Sequence, residues 1–372
     1  YFERHFNSDL SNKALWKVVK DQGVGKESKK RSDPVVPLND LNSFFCGVNN
    51  NINEELYEYY ENLAFVNRFN DRFSFSFKEV NCDLIYKVIL QISSNAVGDD
   101  GIYLKFLLLI FDDIKCVLCH IVNFSLLNSV YPKQWKKALI LPLPKVANPS
   151  ECKHYRAINI LCVLGKVTDK IAYQQICNFV SNNNILYKYQ SGYRTNFSTQ
   201  TALVRITDDV RRAIDTRQLT VMVLLDFTRA FDCVQHRLLL SILKSYSFSE
   251  SAIMWFNSYL TDRMQRVKTG SGLLSDWKHN PLGVPQGSTL SALLFSLYIN
   301  RICESLVFSK SMLYADDLQL YIHTNVKDLN NSINYINADL DTLFKWCHDH
   351  GLSLNISKCK PIILGSRRLL NT

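Results

Sequence analysis

The chain has 372 residues, 47% of them hydrophobic and 12% aromatic, which supplies one large core or two linked subdomains and excludes a disordered or fibrous protein. Its net charge of +9 is moderate, and its 11 cysteines are an odd set without repeating spacing, which argues for a reducing compartment over a disulfide framework. The sequence opens at Tyr1 without a charged-then-apolar leader and reads as an excised piece of an intracellular protein that is not secreted.

Residues 1–75 read as an N-terminal extension. A helix is expected over Trp16 to Lys20, a linker rich in Gly, Pro and charge over Gly23 to Asp40, and a second helix over Glu54 to Val66. Lys29-Lys30-Arg31 in the linker is either a nuclear address or a solvated basic run. Residues 76–218 follow, with a helix from Phe77, a loop at Gly98 to Gly101 and a long helix to about Val130. The most apolar stretch, Ile102 to Val122, carries Lys105, Asp112, Asp113 and Lys115, so it reads as a buried or amphipathic helix and not a membrane span. Cys116 to His120 matches a haem-attachment spacing by coincidence inside that helix.

A short strand, Ala138 to Leu143, is ended by Pro142 and Pro144, and helices follow from about Gly165 to Asn182 and from Ser198 to Thr216. Between Tyr131 and Lys170 stand Lys133, Lys136, Lys137, Lys145, Lys153, Arg156, Lys166 and Lys170 against only Glu151 and Asp169. Such a stretch is a solvated basic face or a seat for a polyanion such as nucleic acid or a nucleoside triphosphate.

Residues 219–372 begin with the β-type run Thr220 to Leu225, ending at Asp226. A helix is expected next, with Phe231, Val234, Leu238 and Ile242 on one face and Asp232 as its cap. Pro281 to Ser288 is a Gly- and Pro-bearing loop, and Thr289 to Ile299 an apolar helix. Alternation of Met312 and Tyr314, then of Leu318, Leu320 and Ile322, makes a hairpin with Asp316-Asp317 as its turn. A helix over Asn331 to His350 and a strand near Pro361 to Leu364 close the chain. Cys347, His348, His350 and Cys359 have no finger spacing and read as core and surface residues.

Asp316-Asp317 alone is either a solvated turn or a metal site. If the two strand elements pair in one sheet, Asp226 joins them, and three close carboxylates require a counter-cation. Oxygen ligands select Mg²⁺ or Mn²⁺, and two such ions about 3.5–4 Å apart clamp the attacking and leaving oxygens of an in-line phosphoryl displacement. Nucleotidyl transfer is the chemistry these residues suggest.

Three ordered motifs carry a family resemblance: Leu224-Leu225-Asp226-Phe227-Thr228-Arg229-Ala230-Phe231-Asp232, Gly283-Val284-Pro285-Gln286-Gly287-Ser288 and Tyr314-Ala315-Asp316-Asp317. Together they resemble the reverse transcriptases of non-LTR (LINE-type) retrotransposons. Trp135-Lys136 to Pro144-Lys145, His154-Tyr155-Arg156-Ala157-Ile158, Gln190-Ser191-Gly192-Tyr193-Arg194 with Ser198-Thr199, and Gly351 to Asn355 with Lys358 are similar to further blocks of that family, with Ala157 in place of a usual proline. Leu15-Trp16 is similar to the stretch that precedes the polymerase.

The resemblance implies an α+β right-hand polymerase fold. Residues 76–218 would be the fingers and the start of the palm, and residues 219–372 the palm with its antiparallel sheet, the thumb being largely missing after Thr372. It implies an RNA-directed DNA polymerase that extends a DNA primer on an RNA template with deoxynucleoside triphosphates, using two Mg²⁺ ions for which Mn²⁺ can substitute. Asp226 and Asp316 would be principal metal ligands, the Phe227 carbonyl a further one and Asp317 an auxiliary carboxylate. Phe231 would be a steric gate against the 2′-hydroxyl, or ordinary core. Lys145 and Arg156 would meet the triphosphate, Gln286 and Gly287 the nucleotide or template, and Lys358 the leaving pyrophosphate as proton donor. Nuclear and cytoplasmic location, no membrane association and an upstream endonuclease complete the expectation. The alternative is a degenerate, inactive remnant that only binds nucleic acid.

Overall fold

The computed structural model describes residues 33–47, 53–68, 74–194 and 196–370. Among the described residues five helices come first: α1 (Leu38–Cys46), α2 (Glu54–Arg68), α3 (Cys82–Leu90), α4 (Leu104–Leu109) and α5 (Phe111–Leu127). Strands β1 (Lys137–Pro144) and β2 (Tyr155–Ile160) lead into helices α6 (Val163–Asn182) and α7 (Thr199–Asp215). Then come β3 (Leu219–Leu225), α8 (His236–Ser245), α9 (Glu250–Leu260), β4 (Met264–Val267), β5 (Lys278–His279) and α10 (Thr289–Tyr298). The last elements are the hairpin β6 (Lys310–Tyr314) and β7 (Asp317–Thr324), α11 (Leu329–Asp349), β8 (Lys360–Leu364) and α12 (Arg367–Leu370).

The strands form two four-stranded sheets, ordered β2-β1-β4-β5 and β6-β7-β3-β8. Every pairing is antiparallel except β1 with β4. The result is a mixed α/β chain with antiparallel-rich sheets. Strand β3 is covered on both faces, which explains why it is an apolar run and not an alternating one. Val221, Val223 and Leu225 enter the main core, while Met222 joins Ala202 and Ile206 of α7, Met312 and Tyr321 in a smaller cluster on the other side. Helix α10 is buried almost all round, in keeping with its Leu- and Phe-rich sequence. No helix among the described residues is long and apolar enough to cross a membrane.

Several elements differ from the sequence pattern for identifiable reasons. The helix expected at Trp16 to Lys20 and most of the linker lie outside the described residues, but the linker's end, through Asp40, belongs to α1. Pro37 stands just before that helix, where its fixed φ favours a start, and Leu41 and Phe45 bury its inner face. The long helix breaks at Ile110 into α4 and α5. After β3, Ala230–Asp232 is a single 3₁₀ turn and α8 begins only at His236. Gln235 is its N-cap, so Asp232 does not cap it. Strands β4 and β5 and the parallel β1–β4 pairing have no counterpart in the local pattern.

Helices α6 and α10 are joined by a buried polar contact. Ser288 is the N-cap of α10, where its Oγ accepts the Leu290 N–H, and its hydroxyl donates to Asp169 Oδ2 at 2.6 Å. Tyr131 donates to Asp169 Oδ1 at 2.8 Å. Burial pushes the Asp169 carboxyl up to about 6, although Ser288, Arg263, Tyr131 and Lys166 all favour its charged form. Its folded pKa lies above the unfolded value of about 3.9, so its stabilising contribution is full below that value and is lost as pH rises through the folded one. Asp169→Asn, which does not titrate, is expected to gain on the wild type by on the order of 2–3 kcal/mol between about pH 4 and pH 7 in denaturant titrations. A difference that does not vary with pH would remove Asp169 as the titrating group.

Candidate active site

Strand pairing brings the distant acidic residues to one end of a sheet. Leu225 faces Leu318 across β3 and β7, and Tyr314 faces Asp317 across β6 and β7. Continued by one residue, this register would set Asp226 opposite Asp317, on neighbouring positions of the two strands. The turn itself is Ala315-Asp316 and not Asp316-Asp317, since Asp317 is the first residue of β7. Ala315 takes a φ of 58°, in the left-handed region.

Burial and neighbouring charges disturb the two hairpin carboxylates. Burial raises the Asp316 carboxyl, Asp317 and Asp226 raise it further, and Arg156 opposes them. Burial and Asp226 raise Asp317, while Lys358 lowers it. The Lys358 ammonium donates to Asp226 Oδ2 at 3.1 Å. Behind β3, Thr228 N–H donates to Ser353 O at 2.8 Å and Asn355 N–H to Asp226 O at 2.7 Å, flanking a Phe227–Leu354 bridge. That antiparallel pattern turns the Phe227 backbone carbonyl away from Leu354 and toward the hairpin edge of β3.

Among the described residues no three His, Cys, Asp or Glu side chains already converge as a ligand set. At Asp226 one carboxylate oxygen is engaged by Lys358. The donor chemistry nonetheless fits a hard divalent cation: mutually repelling carboxylates, Asp226 and Asp316 half-buried and Asp317 exposed, with a backbone carbonyl beside them. Asp226, Asp316, Asp317 and the Phe227 carbonyl could hold it. Cys347 and His350 are instead buried, His350 against Tyr60 Oη at 3.1 Å and the Trp346 carbonyl at 2.8 Å.

A cationic group adjoins the acids. Arg156 lies on β2 opposite Leu143, and Lys145 N–H donates to His154 O at 2.7 Å just beyond that pairing. Lys145 Nζ donates to the Lys153 carbonyl at 3.2 Å. Burial lowers the Lys145 ammonium, and Arg156, Lys358 and Arg229 lower it further. Four cations that crowd one another beside a carboxylate cluster make a field suited to a polyphosphate.

The glycine-bearing loop closes the other side. Gly283 N–H donates to Val234 O and Val284 N–H to Phe231 O, so the loop docks on the turn after β3. Asn159 N–H donates to Gln286 O at 3.0 Å, and Gly287, at φ 128°, lies so close to β2 that a Cβ would sit 2.6 Å from Asn159 O. Gln286 Nε2 donates to Asp232 Oδ1 at 2.6 Å. The half-buried Phe231 ring stacks on Phe295 of α10 at 4.5 Å. Phe231, Gln286, Gly287, Ser288, Tyr173 and Tyr193 line a cavity of about 420 Å³.

Two residues at this site had no role in the sequence reading. Tyr193 lines the cavity, and its hydroxyl is raised by burial and by Asp316, Tyr314 and Asp317; its place in the Gln190 to Arg194 block was the available signal. Arg229 lies two residues past Phe227 at φ 50°, and its guanidinium donates to the carbonyls of Phe44, Phe45 and Gly47 at the C-terminal end of α1. Its Nε also reaches Asp232 Oδ2 at 3.2 Å. A cation at a helix C-terminus satisfies orphan carbonyls and the helix dipole, so Arg229 fastens α1 to the turn that carries Phe231 and Asp232.

A paired-strand acidic site beside a phosphate-suited cationic cluster has the chemistry of a nucleotide-handling protein. Comparison with known proteins specifies it: the family described as "Reverse transcriptase (RNA-dependent DNA polymerase)" matches residues 143–365, and the chain belongs to that family, of the non-LTR retrotransposon kind. The chain is 32% identical over 251 residues to "Probable RNA-directed DNA polymerase from transposon BS" of Drosophila melanogaster, covering 65% of this chain and 27% of that protein. It is 26% identical over 295 residues to "RNA-directed DNA polymerase from mobile element jockey" of the same species, covering 77% and 31%. A third relative, "Probable RNA-directed DNA polymerase from transposon X-element", also of Drosophila melanogaster, is 26% identical over 294 residues, covering 77% and 32%. The chain thus spans less than a third of the length of these curated relatives.

Arg229→Ala is expected to destabilise the protein by about 2 kcal/mol and to expose α1 to protease. Denaturant titration and limited proteolysis followed by mass spectrometry check this; unchanged cleavage near Phe44 would show that the latch does not hold α1.

Proposed function

We propose that this chain is the polymerase portion of a retrotransposon RNA-directed DNA polymerase, extending a DNA primer on an RNA template with deoxynucleoside triphosphates. The observation that carries the reading is the juxtaposition at the end of β3: Asp226, Asp316 and Asp317 on one side, Lys145, Arg156, Lys358 and Arg229 on the other. In right-hand terms, the sheet β6-β7-β3-β8 would be the palm, and β1–β2 with α3 to α6 the fingers, whose sheet also takes in β4 and β5. Residues 1–75 would be an extension ahead of them. Nuclear and cytoplasmic residence, and an endonuclease elsewhere in the full protein, belong to the same proposal.

Two Mg²⁺ ions, with Mn²⁺ as substitute, would supply Lewis-acid stabilisation to the attacking and leaving oxygens when bound. Asp226, Asp316 and the Phe227 carbonyl would hold them, with Asp317 auxiliary. Lys145 and Arg156 would bind and orient the triphosphate, countering charge that builds on the transferred phosphoryl group. Gln286 and Gly287 would form the nucleotide's floor, with Gln286 fixed by Asp232. Phe231, braced from behind by Phe295, would exclude a sugar bearing a 2′-hydroxyl. Lys358, paired with Asp226, would hold a proton near the departing pyrophosphate.

Protein carrying this chain is expected to extend oligo-dT on poly-A with Mg²⁺, and Asp316→Asn to lower the rate by about 10³-fold or more. Salt-sensitive gel shifts with no extension, in wild type and Asp316→Asn alike, would favour a binding remnant instead. Phe231→Ala should admit ribonucleotides, read as the ratio of kcat/KM for the two sugars. Unchanged discrimination would leave Phe231 as core alone.

A further inference from the structure

We propose that Gln190 is the positioning residue that holds the acidic hairpin turn in the geometry its carboxylates need to bind a divalent cation; this rests on the metal-site reading above. Gln190 is 1% exposed, so its amide must find partners inside the protein. Its Oε1 accepts the Ala315 N–H at 3.0 Å and the Gly192 N–H at 2.8 Å, and its Nε2 donates to the Ala315 carbonyl at 3.3 Å. One side-chain amide thereby satisfies both backbone groups of the residue at the tip, as a neighbouring strand would.

The surrounding backbone completes the grip. Ser191 N–H donates to Leu313 O at 2.8 Å and Leu313 N–H to Tyr189 O at 3.1 Å, so this segment rides along the free edge of β6. Gly192 then abuts the tip: a Cβ there would lie 2.2 Å from Ala315 N.

The turn needs holding for two reasons. Alanine in the left-handed region costs about 1–2 kcal/mol and has no side chain with which to make a local hydrogen bond. The next two residues, Asp316 and Asp317, are adjacent carboxylates that repel each other when both are charged. An uncharged amide secures the tip without adding a charge to either side. Gln190 touches neither carboxylate in these bonds, so it acts through Ala315.

The test reads Mn²⁺ binding by electron paramagnetic resonance, without nucleotide or nucleic acid, and primer extension across a metal titration. Gln190→Met keeps the length and removes the hydrogen bonds. It is expected to weaken Mn²⁺ binding, and to raise the metal concentration for half-maximal extension, by about tenfold, with nucleotide KM within about twofold of wild type. Adding Ala315→Gly, since glycine takes positive φ freely, should restore most of the affinity. A merely structural glutamine would not be bypassed in this way.

Wild-type Mn²⁺ affinity in a folded Gln190→Met variant, or a loss that Ala315→Gly does not recover, would overturn the inference. Should Gln190→Met not fold, Gln190→Asn decides, because it keeps an uncharged amide but draws it back from Ala315: a loss of about tenfold that Ala315→Gly recovers supports the role, and wild-type affinity, or a loss that Ala315→Gly leaves in place, overturns it. If wild-type protein binds Mn²⁺ but extends no primer, the polymerase reading fails and the Gln190 inference is still judged on binding. If wild-type protein binds no Mn²⁺, the metal-site reading falls, and this inference with it.

Discussion

Carboxylates repel one another more strongly as water is withdrawn from them, and the end of β3 gathers the half-buried Asp226 and Asp316 with the exposed Asp317. The structure answers with positive charge from two directions. Arg156 arrives on β2 from the other sheet, and Lys358 arrives from the loop between α11 and β8. Neither is near the acids in sequence, so the site exists only when both sheets and the final strand are in place. Loss of any one contributor would leave like charges poorly compensated, which ties the electrostatics of the site to the completeness of the fold.

A second line of connection runs through side-chain hydrogen bonds. Asp232 receives Arg229 and Gln286, and Ser288, two residues past Gln286, caps α10 while donating to Asp169 of α6. The loop between Gly283 and Ser288 is therefore moored at Phe231, Val234, Asn159 and Asp169. Its glycines permit the close approach to β2 and to the turn after β3 that a side chain would block. Cavity shape beside Phe231 thus depends on three separate elements: the turn after β3, β2 and α6.

Much of this was legible in the sequence. The apolar run before Asp226 reads as a strand because both faces of β3 are covered, and alternation around the acidic pair reads as a hairpin because β6 and β7 each have distinct sides. What stayed hidden shares a physical cause: it depends on pairing at long range or on backbone geometry at single residues. Positive φ at Ala315 moved the turn by one residue and separated Asp316 from Asp317. Positive φ at Arg229 leads into a 3₁₀ turn, which delayed the helix that periodicity begins at Phe231. The parallel contact between β1 and β4 joins segments more than a hundred residues apart, and β4 is too short to announce itself. Helix α1 was masked by the Pro- and charge-rich residues before it.

The latch between Arg229 and α1 also bears on what counts as a unit of this protein. The family match begins at residue 143, yet the guanidinium two residues before Phe231 finds its acceptors at Phe44, Phe45 and Gly47. Homology boundaries and folding boundaries therefore do not coincide here. A polypeptide trimmed to residues 143–365 would carry every acidic motif and still present Arg229 with no carbonyls to bind, beside an Asp232 that orients Gln286. Inheritance of the site and its mechanical support have separate addresses in the chain.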